Sequence, residues 1–593
     1  MSMRFGLHAP EQVLRCAEQW GSGTRLILAE INGTGGWLPA LRLASVPLQP
    51  GLDWRLGGTR TLLLLPRSMA AYGFIAQWVG RMRSENRVGD PSDWQQAPLH
   101  PEVDVIFPIQ RAPERALASN EWLGVHDHEQ IRAQRHPHAS RSLAWKTCVF
   151  ARPEDPELHR VLRAVHRNAT LANLQSREVL EERDPWWEPA ERTQQRFEPW
   201  IWRQTERFLA GLSIWSHEQW RGSGNQNQST YTGSSAKDQA LLRMLCEDAL
   251  PDRYPGRESD AVLRARLDKE LDLIQQKEFV AYFLLNWDIV RYAQKQNFFY
   301  VGRGSGANSM VAYLLKITNV DPIELDLYFE RFINIHRTSP PDFDLDFSWT
   351  DRPDITRYLF GRYPNVALLG AYSTYQFRSV VREVSKTFGL PKSDIDRLAN
   401  GEAPKDQWGR AVLHFGHRLH DLPSRMTLHS SGILIADKPL ATFSSTFWPP
   451  KGYPTVYFDM LAAEDVGLAK FDILGQRGIA KIAEAAQLAQ ENQPNRPPLP
   501  LNAIAQFKND PAALKLLSTG GAMGCFYVES PAMRMLMQKL QTQSYVDLVA
   551  ASSIIRPGVS SSGMMRQYIL RHRNPERRKD AIPALLELLP DTY

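Results

Sequence analysis

The stretch Pro341-Asp-Phe-Asp-Leu-Asp-Phe347 alternates between carboxylates and large apolar side chains. Read as a strand, it sends Asp342, Asp344 and Asp346 to one face and Phe343, Leu345 and Phe347 to the other. Acids two positions apart then have Cα atoms roughly 6–7 Å apart. At an effective dielectric near 20 their repulsion is about 2.5 kcal/mol per neighbouring pair. Folding alone does not favour such a face, whereas hard divalent cations take anionic oxygen ligands. Two Mg²⁺ or Mn²⁺ ions about 3.5–4 Å apart are a standard device for in-line phosphoryl displacement. The competing reading is a solvated edge strand with an acidic face.

Upstream, Phe298-Phe-Tyr-Val301 reads as a short strand, Gly302-Arg-Gly-Ser-Gly-Ala-Asn-Ser309 as a glycine-rich turn, and residues 310–317 as an apolar helix. Strand, turn and helix in that order aim backbone N–H groups and a positive dipole end at an anion. The turn matches neither the P-loop nor the dinucleotide pattern, and a simple helix N-cap by Ser305 is its rival reading. Downstream, Leu468-Ala-Lys-Phe-Asp-Ile-Leu474 as a strand places Lys470 and Asp472 on one face, with Phe471 and Ile473 on the other. Asp472, 126 residues after Asp346, completes with Asp344 and Asp346 a three-carboxylate set for two metals. Lys470 is placed to neutralise charge on a phosphate, and a surface Lys–Asp pair is the alternative.

At 593 residues the chain is too long for one core and predicts several domains. Its 43% hydrophobic and 23% charged residues are those of a soluble globular protein. No run of about 18 uncharged apolar residues and no signal-peptide core are present, so no membrane partner is expected and the cytoplasm is the default location. Cys16, Cys148, Cys246 and Cys525 lie far apart and read as reduced, buried thiols. The net charge of +5 names no partner, but Arg566, Arg571, Arg573, Arg577, Arg578 and Lys579 against Glu576 make a local field suited to a polyphosphate, or else a solvated helix face.

Two polar, turn-rich segments, 222–235 and 493–500, read as linkers or long loops. Residues 1–222 mix a helical pattern at 11–20 with β-like runs at 26–31, 61–65 and 103–107, which predicts an α/β domain. Beyond them, Val262, Leu263, Leu267, Leu271 and Ile274 recur at helical spacing, and a second, aromatic-rich helix is expected over 279–294. Between 371 and 384, Arg378 and Arg382 share a helical face opposite Phe377, Val380, Val381 and Val384, which suits contacts to nucleic-acid phosphates or an ordinary amphipathic helix. His126-Asp-His128 reads as a surface turn.

Several ordered blocks resemble the bacterial C-family replicative polymerase, the DNA polymerase III alpha subunit. They are Phe279-Val-Ala-Tyr-Phe-Leu, Val301-Gly-Arg-Gly-Ser-Gly-Ala-Asn-Ser309, Asp321-Pro-Ile-Glu-Leu-Asp, and the acidic stretch itself. His429-Ser-Ser-Gly-Ile-Leu-Ile-Ala436, Phe458-Asp459, Lys470-Phe-Asp-Ile-Leu-Gly475, Phe526-Tyr-Val-Glu-Ser530 and Arg556-Pro-Gly558 continue the order. The resemblance covers about residues 230–593. It implies an α/β and α+β multidomain fold: a PHP-like N-terminal domain, then a polymerase-β-like nucleotidyltransferase palm with a helical thumb and partial helical fingers. The implied boundaries are 1–222 for a degenerate PHP-like domain, 223–235 for a linker, 236–375 and 429–478 for the palm, 376–428 for the thumb and 479–593 for the start of the fingers.

By motif match Asp344, Asp346 and Asp472 are the catalytic acids holding two Mg²⁺ (or Mn²⁺), with Asp342 in support. Gly304, Ser305, Lys470, Arg303 and Arg337 face the incoming dNTP, and Arg378 and Arg382 face primer–template DNA. The implied reaction is DNA-directed transfer of a deoxynucleotidyl group to a primer 3′-hydroxyl with release of pyrophosphate. Two departures qualify it. The opening His-x-His pair of the family's PHP site precedes the segment matched by Ser2–Gly6, Glu30 stands where an aspartate is usual, and Asp53 matches a later acid, so the N-terminal domain is expected to be structural. The match also stops inside the fingers, so the helix-hairpin-helix region, the clamp-binding segment and the OB-fold are expected on a C-terminal portion, with other replication subunits and the sliding clamp as partners. An inactive DNA- or subunit-binding fragment and an N-terminal phosphoesterase are the alternatives from other classes.

Overall fold

Apolar runs at 61–65 and 103–107 build the first of two mixed β-sheets in this computed structural model, which describes residues 26–31, 48–56, 59–85, 100–147, 150, 155–175, 186, 188, 190–212, 224–331, 333–334, 336, 340–501, 504–580 and 582–584. The first sheet runs in chain order: β1 (Leu26–Ile31), β2 (Leu48–Leu56), β3 (Thr59–Pro66), β4 (Val103–Pro108), β5 (Glu121–Val125) and β6 (Ser142–Ala144). Helix α1 (Met69–Ser84), capped by the Ser68 hydroxyl, is apolar on two sides because it is shared. Ala71, Ile75, Trp78 and Val79 pack on this sheet, while Tyr72 and Ala76 join the core of the second. Two later helices, α2 (Asp155–Arg167) and α3 (Pro199–Ala210), part company: Phe208 of α3 packs on the opposite face of the first sheet, whereas Leu158 and Val161 of α2 join a helical unit far along the chain.

The second sheet is built from residues beyond 299. Helices α4 (Ser235–Arg253), α5 (Ala261–Gln276) and α6 (Val280–Lys295) lead into β7 (Tyr300–Arg303), the short helix α7 (Met310–Leu314), β8 (Asp344–Ser348), α8 (Arg352–Arg362) and β9 (Val366–Thr374). Then come α9 (Phe377–Thr387), α10 (Lys392–Ala399), α11 (Gln407–Leu419), β10 (Pro423–Ile435), β11 (Thr446–Phe447), β12 (Thr455–Val456) and β13 (Phe471–Gln476). The strands lie in the order β11-β12-β9-β10-β13-β8-β7. One face is covered by α4 to α6, whose Leu263, Leu267, Phe283 and Ile289 pack with Phe343, Leu345, Phe347, Phe471 and Ile473. On the opposite face, Ala367, Leu369 and Leu434 lie under α1, and the β7–β8–β13 side carries the acids.

Several sequence expectations shift. Val262, counted in the apolar stripe of α5, is exposed, while its other four members are buried. The 298–301 strand starts two residues later, at Tyr300, and the helix after the turn ends at Leu314 rather than continuing to 317. The segment 224–229, expected as linker, is docked: Gln226 N–H donates to Gly467 O at 2.8 Å, Gln228 N–H to Ile435 O at 3.1 Å, and Asn227 is buried. Helices α9, α10 and α11 pack with α2 around Val380, Val381, Val384 and Val412, and the strand that follows, β10, already pairs with β9 from Pro423.

After β13, α12 (Arg477–Asn492) leads through the exposed 493–500 segment to α13 (Pro531–Leu540), α14 (Tyr545–Ile554) and α15 (Met564–Arg573), which share a core of Met533, Leu536, Met537 and Tyr568. Arg566 and Arg573 of the basic segment are exposed on α15. Cys246 is a buried free thiol and Cys525 is partly buried, while Cys16, Cys148 and the 11–20 helix lie outside the described residues. Among the described residues no helix is long and apolar enough to cross a membrane.

Candidate active site

The acidic strand begins at Asp344, with Asp342 just before it, and the predicted division of faces holds: Phe343, Leu345 and Phe347 are buried against α6, and the carboxylates turn away. Parallel pairing of β8 with β13 sets Asp472 directly opposite Asp344, and antiparallel pairing of β7 with β8 sets Arg303 opposite Asp344 on the other side. Asp344, Asp346, Asp472 and Arg303 therefore meet on three adjacent strands, with Lys470 just before the third. Asp346 and Asp472 are nearly enclosed, Asp344 is more open, and the Asp342 side chain is 58% exposed.

Cations and neutral donors divide the carboxylate oxygens. Arg303 Nε donates to Asp346 Oδ2 at 2.7 Å, and its other arm pairs with Asp344. Lys470 Nζ donates to Asp472 Oδ2 and reaches Asp342 Oδ1 at 3.4 Å. Ser431 Oγ donates to Asp472 Oδ1 at 2.6 Å, and Gln476 Nε2 donates to Asp346 Oδ1 at 3.2 Å. Burial raises the Asp344 carboxyl above the usual aspartate value, with Arg303 opposing and Asp472 adding. Burial works against the Lys470 ammonium, yet the hydrogen bond and charge of Asp472 leave it above the usual lysine value.

Ser431 is delivered by an irregularity. The β9–β10 register shifts between Leu428 and Ile433, so the strand bulges at 429–431 just before Gly432 pairs with Asp472. His429 stabilises the bulge: its Nδ1 accepts from the Gly432 N–H at 2.9 Å and lies 4.0 Å from Asp472 Oδ1. Burial lowers the His429 pKa, against the pull of Asp472 and with a smaller push from Lys470.

The glycine-rich turn is held to the acidic strand. Asp342 N–H donates to Ser305 Oγ at 3.0 Å, and Gly306 N–H donates to Asp342 O at 3.0 Å. Ser309, not Ser305, caps the following helix, and its hydroxyl donates to the buried Glu270 carboxylate at 2.8 Å. The N–H groups of Gly306, Ala307 and Ser309 are used within the turn or on Asp342, so the expected phosphate cradle narrows to the Gly304–Ser305 end. Gly304 has φ +100°, and a Cβ there would lie 2.5 Å from Asp342 O. Gly304→Ala is expected to cost about 3 kcal/mol through backbone strain and this clash, read as a lower urea midpoint at unchanged m-value.

The carboxylate set suits a hard divalent ion by its chemistry: anionic oxygens on neighbouring strands, in a place that already accepts positive charge from Arg303 and Lys470. Among the described residues no group of three or more His, Cys, Asp or Glu side chains is arranged to hold a metal.

Comparison with known proteins decides the family. The profile of the bacterial DNA polymerase III alpha NTPase domain matches residues 240–475, which contain all of these side chains except Gln476, and that of the bacterial DNA polymerase III alpha subunit finger domain matches residues 479–593. The chain belongs to the bacterial DNA polymerase III alpha-subunit family. An error-prone DNA polymerase of Symbiobacterium thermophilum is 32% identical over 378 residues, 60% of this chain and 34% of the relative. The DNA polymerase III alpha subunit of Treponema pallidum is 30% identical over 375 residues, 59% of this chain and 32% of the relative, and that of Aquifex aeolicus is 29% identical over 375 residues, 55% and 32%. The chain thus spans about a third of the length of these curated polymerases.

The remaining sequence candidates of this alpha-subunit chain do not join the acids. Arg378 NH2 donates to Asn400 Oδ1 at 2.8 Å and Arg382 pairs with Asp396 at 2.7 Å, so both brace α9 against the α10 end. Arg337 lies outside the described residues. In the N-terminal sheet the Asp53 carboxylate is held by Arg60 and Arg55 at 2.8 Å each; burial raises its pKa, but the arginines hold it below the usual value. His126 packs on His128 at 5.6 Å between ring centres, and the Glu30 side chain lies outside what is described. Sequence reasoning missed Ser431 and Gln476 as carboxylate partners. The quoted 429–436 block contained Ser431 and the 470–475 block bordered Gln476, but only strand pairing assigns them to particular acids.

Proposed function

We propose that this chain is the catalytic portion of a DNA-directed DNA polymerase, transferring a deoxynucleotidyl group from a dNTP to a primer 3′-hydroxyl with release of pyrophosphate. The observation that carries the reading is the shared register of Asp344 and Asp472 on neighbouring parallel strands, with Arg303 and Lys470 lying across the acids. Asp344, Asp346 and Asp472 would hold two Mg²⁺ ions, which when bound lower the pKa of the attacking hydroxyl and neutralise phosphate charge. Ser431 and Gln476 keep one oxygen of Asp472 and of Asp346 engaged, so the other oxygen of each has a defined direction. Arg303 and Lys470 are the cations able to exchange their carboxylates for triphosphate oxygens, beside the Gly304–Ser305 turn.

In this reading the second sheet is the palm, α9 to α11 the thumb, and residues from 479 the start of the fingers. The first sheet is a PHP-like unit whose Asp53 is neutralised by arginine, which supports a structural role. Primer–template DNA, dNTPs, a C-terminal polymerase portion, the sliding clamp and other replication subunits are the partners that follow. The test is single-nucleotide incorporation on a primed template by the full chain together with the C-terminal portion of a relative. Incorporation is expected with Mg²⁺, to vanish with EDTA and to return with Mg²⁺ or Mn²⁺; none above the EDTA background overturns the reading.

A further inference from the structure

The guanidinium of Arg303 fills the space between two of the acids. Arg303 ends β7 directly opposite Asp344. Its Nε donates to Asp346 Oδ2 at 2.7 Å, the same edge reaches Asp346 Oδ1 at 3.5 Å, and the other arm pairs with Asp344 Oδ2. Among the described residues it has no other acceptor. A planar, forked cation lying across two acids two positions apart on one strand takes the lone pairs that a hard divalent ion would share between them.

The other oxygens are engaged as well. Gln476 donates to Asp346 Oδ1, Ser431 to Asp472 Oδ1 and Lys470 to Asp472 Oδ2. Of the six carboxylate oxygens of Asp344, Asp346 and Asp472, Asp344 Oδ1 alone lacks a donor among the described residues. Two carboxylates therefore become available to one ion only when a donor leaves. The two cations differ in how readily they can do so: the Arg303 side chain is 48% exposed, whereas that of Lys470 is 18% exposed and lies on Asp472 and Asp342 instead. The Gly304–Ser305 turn follows Arg303 directly, so a triphosphate against that turn offers the released guanidinium anionic oxygens one residue away.

We propose that Arg303 closes the Asp344–Asp346 metal seat in the nucleotide-free chain, and that a nucleoside triphosphate opens the seat by taking the guanidinium. Arg303 and a divalent ion then exclude each other on this pair, and nucleotide and metal are coupled beyond direct chelation. A clamp closed about nine times in ten lowers the apparent metal affinity about tenfold. The triphosphate half of the inference rests on the polymerase reading, and the metal half on the contacts of Arg303.

The test is a Mn²⁺ titration of the full chain followed by electron paramagnetic resonance, without nucleotide and with a saturating α,β-imido deoxynucleoside triphosphate. Arg303→Lys keeps the charge but cannot lie across both acids with a planar fork, and Arg303→Gln removes the charge. Without nucleotide both are expected to bind Mn²⁺ about tenfold tighter than wild type, and with it to come within about twofold. A wild-type affinity in nucleotide-free Arg303→Lys overturns the clamp, since any gain in Arg303→Gln is then an effect of net charge. A gap that persists undiminished with nucleotide overturns the opening by triphosphate. Weaker Mn²⁺ binding in both variants at an unchanged thermal melt overturns the clamp too, by making Arg303 a support of the acids. The wild type supplies a readout that needs no variant: its Arg303 Nε–H resonance is expected to shift and lose protection from exchange at saturating Mg²⁺, and an unmoved, protected resonance overturns the proposal. Absent primer extension by the wild type would sink the polymerase reading while leaving the nucleotide-free results to decide the clamp.

Discussion

Asp472→Asn is expected to reduce single-nucleotide incorporation by at least about 10³-fold without unfolding the chain. The amide can still accept from Ser431, but its NH₂ would face the Lys470 ammonium, so a donor meets a donor where an ion pair stood. The variant also removes the negative charge that sits in register with Asp344. Rapid-quench incorporation beside a thermal melt checks both halves. Asp342→Asn, at an exposed carboxylate touched by Lys470 at 3.4 Å, is expected to lose less than about tenfold. Equal losses in the two variants would refute the division between catalytic and supporting acids.

Asp288→Ala is expected to destabilise the fold by about 3–5 kcal/mol. The Asp288 carboxylate is fully buried and accepts from Tyr231 at 2.9 Å, Tyr358 at 2.7 Å, Tyr363 at 2.8 Å and Arg291 at 2.8 Å. It joins Tyr231, just after the docked 224–229 segment, to α6 and α8 behind the acidic face, so its loss leaves buried donors and a cation without an acceptor. Urea unfolding measures the change, and a loss below about 1 kcal/mol would show that the tyrosines find other partners. The same cluster has a pH signature. Burial and then Asp288 push the Tyr358 phenol from 10.0 up to about 12, and Tyr363 rises further from the same two causes. Because the folded values lie above the unfolded one, this stability is complete below pH 10.0 and falls as pH rises through about 12.

Local periodicity carried much of the architecture. Strict alternation at 343–347 and 470–473 placed apolar side chains on one face and charges on the other, because a strand leaves a side chain no third direction. Helical spacing located α5 for the same kind of reason, although it also enrolled Val262, which is exposed. The glycine-rich turn looked like an anion cradle. Gly302 and Gly306 have a second cause, since a Cβ would meet Ile317 O at 1.7 Å and the Phe343 ring at 2.1 Å. Such close approaches involve residues 15 to 37 positions away and leave no local mark.

For this chain, the sequence by itself determined that Asp344 and Asp346 share one strand face, that Lys470 and Asp472 share a face of another strand, and the family. Tertiary structure alone decided that Asp472 stands opposite Asp344, that Ser431 and Gln476 hold the inner acids, and that Arg303 spans two of them. It also decided that α1 belongs to two cores at once. The physical reason is one of range. A strand's period fixes which way each side chain points from bonds within a few residues, whereas partners 41 to 130 positions apart are chosen by strand order, register and a bulge, which only the packed core specifies.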